Sequence, residues 1–264
     1  MRMKEALGIF FSAIVINVPF APSAHAQAGP PFFTNDPGTP GATNWEINVG
    51  WMQTLAHNAS SNQIPLLDLN FGVGDRVQLS YEIPYVFETN RGQSTQSGWS
   101  NADPGVKWRF LDEGDEGWQA SVFPQVETGV SAHAQQLGTG VAGPRYFLPA
   151  EFSRNFGTYE LNFEAGYYFA GHGPRERTLG LVAGRQVTGQ LELDIEIYDD
   201  YVHDAGAHTT TLDVGGRYKL ARGLIALFMA GRGINSLPSA EPGFVGYVGI
   251  QILLGDYGRA FISN

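Results

Sequence analysis

The chain has 264 residues, a formal net charge of −10, 12% aromatic residues and no cysteine. The lack of cysteine excludes a disulfide scaffold, thiol catalysis, a cysteine-ligated metal and a lipid-modified cysteine anchor. The acidic balance argues against a nucleic-acid partner, because no run of lysine or arginine is present that would neutralise phosphates.

The first 26 residues are predicted to be a signal peptide. Arg2 and Lys4 form a basic start, residues 6–20 are mostly apolar, and Ala24-His25-Ala26 has the small-x-small pattern of a cleavage site. An apolar stretch of about 15 residues is shorter than the roughly 20 that a transmembrane helix needs. We therefore expect export, with cleavage after Ala26 or alternatively after Ala28.

Residues 27–43 form a separate segment that is rich in proline and glycine. This composition suits neither a strand of a β-ladder nor a helix. Two interpretations stay open: a periplasmic lead-in to the following domain, or a small plug that folds into its interior. Phe32 and Phe33 are the side chains of this segment that favour burial.

From residue 44 to residue 264 the pattern predicts an all-β domain. Apolar and polar residues alternate within segments of about ten residues, so one face of each strand can contact lipid while the other contacts water. In residues 191–197, for example, Leu193 and Ile195 alternate with Asp194 and Glu196. The predicted strands are 44–55, 63–73, 75–86, 104–111, 117–127, 144–154, 158–169, 177–186, 190–198, 208–220, 223–231 and 243–254.

The connections between these strands alternate between short and long. The short ones fall at 72–75, 112–117, 155–157, 187–189 and 221–223, and the long ones at 56–62, 89–103, 128–143, 170–177, 199–208 and 233–242. Transmembrane barrels have short periplasmic turns and longer external loops, and an even strand number returns both termini to the periplasm. We predict a closed, antiparallel, up-and-down β-barrel of twelve strands in a bacterial outer membrane, present as a monomer. Ten or fourteen strands, or a soluble periplasmic β-protein, are the alternatives.

Several residues depart from the simple barrel pattern. Pro84, Pro124 and Pro149 lie within predicted strands, where a missing N–H predicts β-bulges. Arg154 and Arg185 fall on the lipid-facing side of their strands. Both lie beside short turns, where a charge at the membrane interface costs little.

Three stretches resemble the family of bacterial outer-membrane proteins associated with the meta-cleavage pathway of phenol degradation. The first is Pro30-Pro31-Phe32-Phe33-Thr34-Asn35-Asp36-Pro37-Gly38-Thr39-Pro40-Gly41, followed by Trp45-Glu46-Ile47-Asn48. The second runs from Pro65-Leu66-Leu67-Asp68 through Gly72-Val73-Gly74-Asp75-Arg76 to Tyr81-Glu82-Ile83-Pro84, and the third is Gly105-Val106-Lys107-Trp108-Arg109-Phe110. The resemblance covers the first third of the mature chain. It implies a barrel that passes aromatic or other apolar compounds across the outer membrane, and it supplies no catalytic residues.

The predicted inner face of the barrel is rich in charged side chains. The candidate lumen-lining residues are Glu46, Asp68, Arg76, Glu82, Lys107, Arg109, Glu127, Glu151, Glu160, Glu164, Glu192, Asp194, Glu196, Asp213, Arg217 and Lys219. They suit either a polar pore, in which charges set a field, or a salt-bridged filling that holds the barrel shut. A twelve-stranded barrel lies between the packed eight-stranded and the open sixteen-stranded cases. In both interpretations we expect Glu192 to lie near Arg217 on the neighbouring strand.

No segment gives a specific signal for a metal or a cofactor. Residues 199–204 together with His208 offer carboxylate and imidazole ligands, but their spacing matches no metal-binding template. A solvated external loop explains this segment, and likewise His133 and His172. We predict neither a metal nor a cofactor.

Catalysis is not indicated either, because no G-x-S-x-G motif and no nucleotide-binding fingerprint in a strand-to-helix context occur. Arg175 and Arg177, beside His172, are candidates for contacts with lipopolysaccharide phosphates. The sequence favours a passive channel for small apolar or aromatic compounds, surrounded by outer-membrane lipid and lipopolysaccharide. A plugged structural or adhesion barrel and a lipid-modifying barrel enzyme are the alternatives.

Overall fold

The structure is a computed structural model that describes residues 29–114, 117–128, 143–169, 175–203, 205–236 and 242–256. The predicted signal peptide, His133, His172 and most of the predicted loop 128–143 lie outside these residues. Within the described part, no helix is both long and apolar enough to cross a membrane.

Fourteen strands are present in the described part of the chain. They are β1 (Trp45–Ala56), β2 (Ala59–Val73), β3 (Val77–Asn90), β4 (Gln96–Trp99), β5 (Asp103–Asp112), β6 (Trp118–Val122), β7 (Gln125–Glu127), β8 (Arg145–Phe156), β9 (Tyr159–Phe169), β10 (Glu176–Gln186), β11 (Leu191–Val202), β12 (Ala207–Ala221), β13 (Leu224–Ser236) and β14 (Pro242–Leu254).

The strands close into one antiparallel ring. Neighbours along the chain pair with each other, and β14 returns to β1, where Trp45 lies opposite Leu254. Two positions in the ring are each shared by two strands. β4 and β5 both pair with β3, and β6 and β7 both pair with β5 and β8. The ring therefore has twelve positions, which confirms the predicted barrel and its strand number.

Proline explains why two short strands, β6 and β7, share one position in the ring. Phe123 donates its N–H to the carbonyl of Pro149 at 3.1 Å, and Pro149 cannot return the bond because proline has no N–H. Pro124 separates β6 from β7 at the same level. The bulge expected in β8 at Pro149 is wrong, since Pro149 keeps a regular register opposite Gly166. The bulge expected at Pro84 does occur, because β2 carries an extra residue between Gln63, opposite Val86, and Leu66, opposite Pro84.

Strands extend further at the predicted outer end than the alternation indicates. The long loop expected at 56–62 is wrong, because β2 begins at Ala59 and only residues 57–58 connect it to β1. Residues 199–202 and 207–208, predicted as loop, belong to β11 and β12. Polar residues interrupt the apolar pattern there, but their backbone groups still pair, as Asp199 does opposite Thr210.

Burial alternates along the strands as a membrane barrel requires. On β11, Leu193, Ile195 and Ile197 are exposed on the outer face, whereas Asp194 and Glu196 are buried on the inner one. The same alternation runs along β8, β9 and β10. Because the ring has no free edge, all backbone polar groups of its ladder can pair within the protein, and an apolar outer surface can contact lipid tails.

Aromatic side chains mark both ends of the outer surface. Exposed aromatics at the short-turn end are Trp45, Trp118, Phe156, Tyr159 and Tyr218, and at the opposite end Phe87, Trp99, Tyr146, Phe169 and Phe244. Arg154 lies 5.2 Å from the Trp118 ring and Arg185 lies 5.2 Å from the Tyr159 ring. Both lipid-facing arginines therefore stack on the aromatic girdle at the membrane interface.

Candidate channel lumen

The inner face of the barrel binds the segment that precedes β1. Residues 29–40, hereafter the inner segment, are largely buried. Glu196 on β11 accepts the N–H of Thr34 at 2.7 Å and that of Phe33 at 3.2 Å. Glu164 on β9 accepts the backbone N–H of Asn35 at 3.1 Å and its side-chain amide at 3.0 Å. Two buried carboxylates thus bind three consecutive residues of the inner segment.

Two basic side chains bind its carbonyl groups from other directions. Lys107 on β5 donates to the carbonyl of Asp36, and its Nζ lies 3.3 Å from Glu151. Arg217 on β12 donates to the carbonyl of Pro30 at 3.2 Å. Contacts therefore reach the inner segment from β5, β9, β11 and β12, on several sides of the ring.

Apolar side chains hold the inner segment against β13 and β14. The ring of Phe32 is buried in a cluster formed by Leu66, Val182, Ile225, Leu227, Met229, Val245, Tyr247 and Leu253. Ile225, Leu227 and Met229 alternate on the inner face of β13. Phe33 lies 5.1 Å from the Tyr198 ring. One side of the interior is thus apolar, whereas β9 to β11 present carboxylates.

Glycines allow the inner segment to lie close to the wall. A Cβ atom at Gly180 on β10 would collide with the side chain of Thr34. A Cβ atom at Gly72 on β2 would collide with the carbonyl of Gly41, and Gly41 itself has a positive φ of +80°. At this end Thr43 donates its N–H to the Gly72 carbonyl at 2.9 Å, which fixes the entry of the chain into β1.

A further cluster lies toward the opposite end of the interior. Arg145 at the start of β8 forms ion pairs with Glu127 at 3.0 Å and with Glu176 at 2.8 Å. Its guanidinium also lies 4.1 Å from the centre of the Tyr168 ring. Asn101 donates to Glu127 at 2.5 Å. These contacts join β7, β8 and β10 around one cation.

The candidate lumen residues fall into three groups by burial. The buried residues are Glu46, Asp68, Lys107, Glu151, Glu160, Glu164, Glu192, Asp194, Glu196, Asp213 and Arg217. Glu82, Arg109, Glu127 and Lys219 are partly buried. Arg76 is exposed, because it belongs to the turn between β2 and β3 and not to a strand. Glu192 lies opposite Arg217 in the register of β11 and β12, as the hairpin count predicts.

Asp199 and His208 belong to a local network at the ends of β11 and β12. His208 contacts Asp199, which also accepts the hydroxyl of Thr210 at 2.8 Å and lies 3.8 Å from Arg177. No group of three potential metal ligands occurs among the described residues. These contacts pair β11 with β12 at the end of the barrel.

Sequence reasoning missed several interior residues. Asp36 is buried, and its burial raises the pKa of its carboxyl group, although Lys107 and Arg217 act in the opposite direction. Asp103 falls in the predicted loop 89–103, one residue before the predicted strand 104–111, but is the first residue of β5. Arg145 and Glu176 flank connections, where strand alternation gives little information. Of these residues, only Asp103 could be found from the sequence. It lies two residues before Gly105 and four before Lys107, so strand alternation places it on the same inner face.

Comparisons with known proteins support the fold. No protein-family model and no curated protein match the sequence. An outer-membrane channel from Pseudomonas putida F1 is similar in structure, with a TM-score of 0.65 and 16% identity over 86% of this chain and 100% of that one. The KdgM porin (TM-score 0.53, 12% identity, 78% and 98% covered) and the NanC porin (0.52, 8%, 79% and 98%) are also similar. The chain is a closed β-barrel of the kind found among bacterial outer-membrane channels and porins.

Proposed function

We propose that this protein is a passive outer-membrane channel for small apolar or aromatic compounds, narrowed by its own inner segment. The observation that carries the proposal is that residues 29–40 lie inside a closed ring and are held there by hydrogen bonds, one buried aromatic ring and contacts with buried side chains. The chain has no cysteine, so no disulfide fixes this segment. Its movement would open a path along the inner wall, through which solutes would flow down their gradient.

The site of Phe32 supports the apolar class of solute. Its ring occupies an apolar site between β13, β14 and β2, on one side of an otherwise polar interior. When the inner segment moves, this site would lose its ring and expose apolar side chains to water, which is unfavourable. A small aromatic solute would restore that burial. The resemblance of the first third of the chain to the family associated with phenol degradation motivates the same class.

A second candidate function is a plugged structural barrel without transport. The contacts made by the inner segment favour it, because the buried carboxylates of Glu164 and Glu196 accept hydrogen bonds from that segment. The two functions differ in one measurable property, the uptake of solutes through an intact barrel.

Swelling of proteoliposomes in phenyl glucoside and in methyl glucoside tests the proposal. Both solutes are uncharged and share a sugar, but only the first carries an aromatic ring. We expect phenyl glucoside to enter at least as fast as the smaller methyl glucoside. The variant Phe32→Ala should increase the entry of phenyl glucoside, because it empties the apolar site. Phe110→Ala, which removes an exposed ring of the outer surface, is the matched control.

Entry that follows solute size alone would contradict the preference for aromatic compounds. If neither solute enters, although the protein is a folded barrel that resists unfolding in detergent at room temperature, the structural function is supported instead.

A further inference from the structure

A polar cavity of about 80 Å³ remains between the inner segment and one side of the wall. It is bounded by β1, β2, β3 and β5 and by the junction of β6 and β7. Its charged lining residues are Asp36, Glu46, Asp68, Glu82, Asp103 and Lys107. Five carboxyl groups and one ammonium group therefore surround a space large enough for water or a small ion.

The basic side chains near this cavity already have partners. Lys107 lies 3.3 Å from Glu151, outside the cavity lining, and donates to the Asp36 carbonyl. Arg217 donates to the Pro30 carbonyl and lies opposite Glu192. Arg145, on the side of Asp103, binds Glu127 and Glu176.

Four of the five cavity carboxylates lack an ion-pair partner of this kind. Within the described ranges, none of Glu46, Asp68, Glu82 and Asp103 forms an ion pair with a basic side chain. Asp68 and Glu82 lie opposite each other in the register of β2 and β3, which places two carboxyl groups side by side. Burial of several carboxylates without a counter-charge is strongly unfavourable.

Two carboxylate oxygens of cavity-lining residues accept no hydrogen bond from the protein. Oε2 of Glu46 and Oδ2 of Asp36 are buried and have no donor in the structure, although the two side chains are only 8% and 4% exposed. The other oxygen of each carboxylate is bound, to the Asn48 amide at 3.3 Å and to the Gly38 N–H at 2.5 Å. Each unpaired oxygen can therefore accept a hydrogen bond from water or from the hydration shell of a cation in the cavity.

We propose that this cavity binds small hydrated cations and makes the water-filled path beside the inner segment selective for cations over anions. Charged side chains around a narrow pore select ions of opposite sign. The inference rests on the proposed channel function and adds the charge class of the solutes that pass while the inner segment stays in place. Apolar compounds would use the Phe32 site, against β13 and β14.

The reversal potential of the full-length mature protein in planar bilayers, under a KCl gradient at neutral pH, tests the proposal. We expect a sign that corresponds to preferential passage of K⁺, with a severalfold ratio of K⁺ to Cl⁻ permeability. Glu46→Gln and Glu82→Gln keep the side-chain size and each remove one acidic group from the cavity. Each should move the reversal potential toward zero, and the double variant should move it further.

Glu113→Gln is the matched control, since it removes one charge from the exposed turn after β5, away from the cavity. It should leave the reversal potential unchanged, and retained heat-modifiable migration in gels shows that each variant is folded. A current without preference for K⁺, or an equal shift for all three variants, would overturn the cation path alone. Absence of both current and solute uptake would overturn the proposed channel together with it.

Discussion

Glu196 has no exposed surface, and both its carboxylate oxygens accept backbone N–H groups of the inner segment. A buried carboxylate is tolerated when hydrogen bonds replace its hydration. One oxygen of Glu164 accepts both the backbone N–H and the side-chain amide of Asn35. The inner segment and these two side chains therefore depend on each other, because removal of either leaves buried polar groups unpaired.

We predict that Glu196→Gln loosens the inner segment without unfolding the barrel. The amide keeps one acceptor oxygen, but its NH₂ group then faces a backbone N–H, and charge-assisted hydrogen bonds worth about 1.5–3 kcal/mol are lost. Hydrogen exchange at residues 33–36 should become faster. Glu88→Gln, on a part of β3 remote from these contacts, should leave that exchange unchanged. Equal protection in both variants would show that Glu196 does not hold the segment.

Sequence alternation predicts on which face a residue lies, but not which groups it contacts. The parity of β11 places Glu196 on the inner face. Its partner Thr34 is 162 positions away in the chain, and no periodicity relates the two. For the same reason the predicted charged lining includes Glu46 and Asp68 but misses Asp36, which is contributed by a segment without regular structure.

The strand bounds show how much of the fold the alternation of apolar and polar residues predicts. Where an apolar face contacts lipid, predicted and observed strands agree closely, as for 158–169 against Tyr159–Phe169 of β9. At the outer end β11 continues to Val202, four residues beyond its predicted end at 198. Residues 199–202 lie beyond the membrane, so they need no apolar outer face. They are strand residues because their backbone groups pair with β12. Composition alone could not indicate this extension.

We predict that a charged residue on the outer surface of the barrel destabilises it more the deeper it lies in the membrane. Ile195 lies in the middle of the strand and is exposed on the outer surface. Ile195→Lys should lower the free energy of unfolding in lipid bilayers by roughly 2–4 kcal/mol, the cost of a basic residue at the membrane midplane. Leu220→Lys, at the short-turn end of β12, should cost about 0–1 kcal/mol. Equal costs at both positions would show that this surface does not span a bilayer.

The whole molecule is a ring with a lipid-facing outer surface and an interior that is apolar on one side and charged on the others. One side, formed by β13 and β14, is apolar and packs on Phe32, and the other sides carry charged residues that bind the inner segment or line the cavity. Composition leaves residues 27–43 open to interpretation as lead-in or plug, because proline and glycine exclude regular structure without indicating a location. The contacts of residues 30–36 favour the plug, which we propose here.

Single-channel conductance of the mature chain, compared with a variant that lacks residues 29–40, tests the proposed channel most directly. Both proteins are first shown to be folded barrels by their heat-modifiable migration in gels. With the inner segment present, the remaining cavity is narrow, so we predict a small conductance. Without it, the conductance should rise manyfold, because removal of the segment would empty much of the interior of the twelve-stranded ring. An equal conductance of the two proteins, or none in either, would contradict a lumen that is narrowed by this segment and open to solutes.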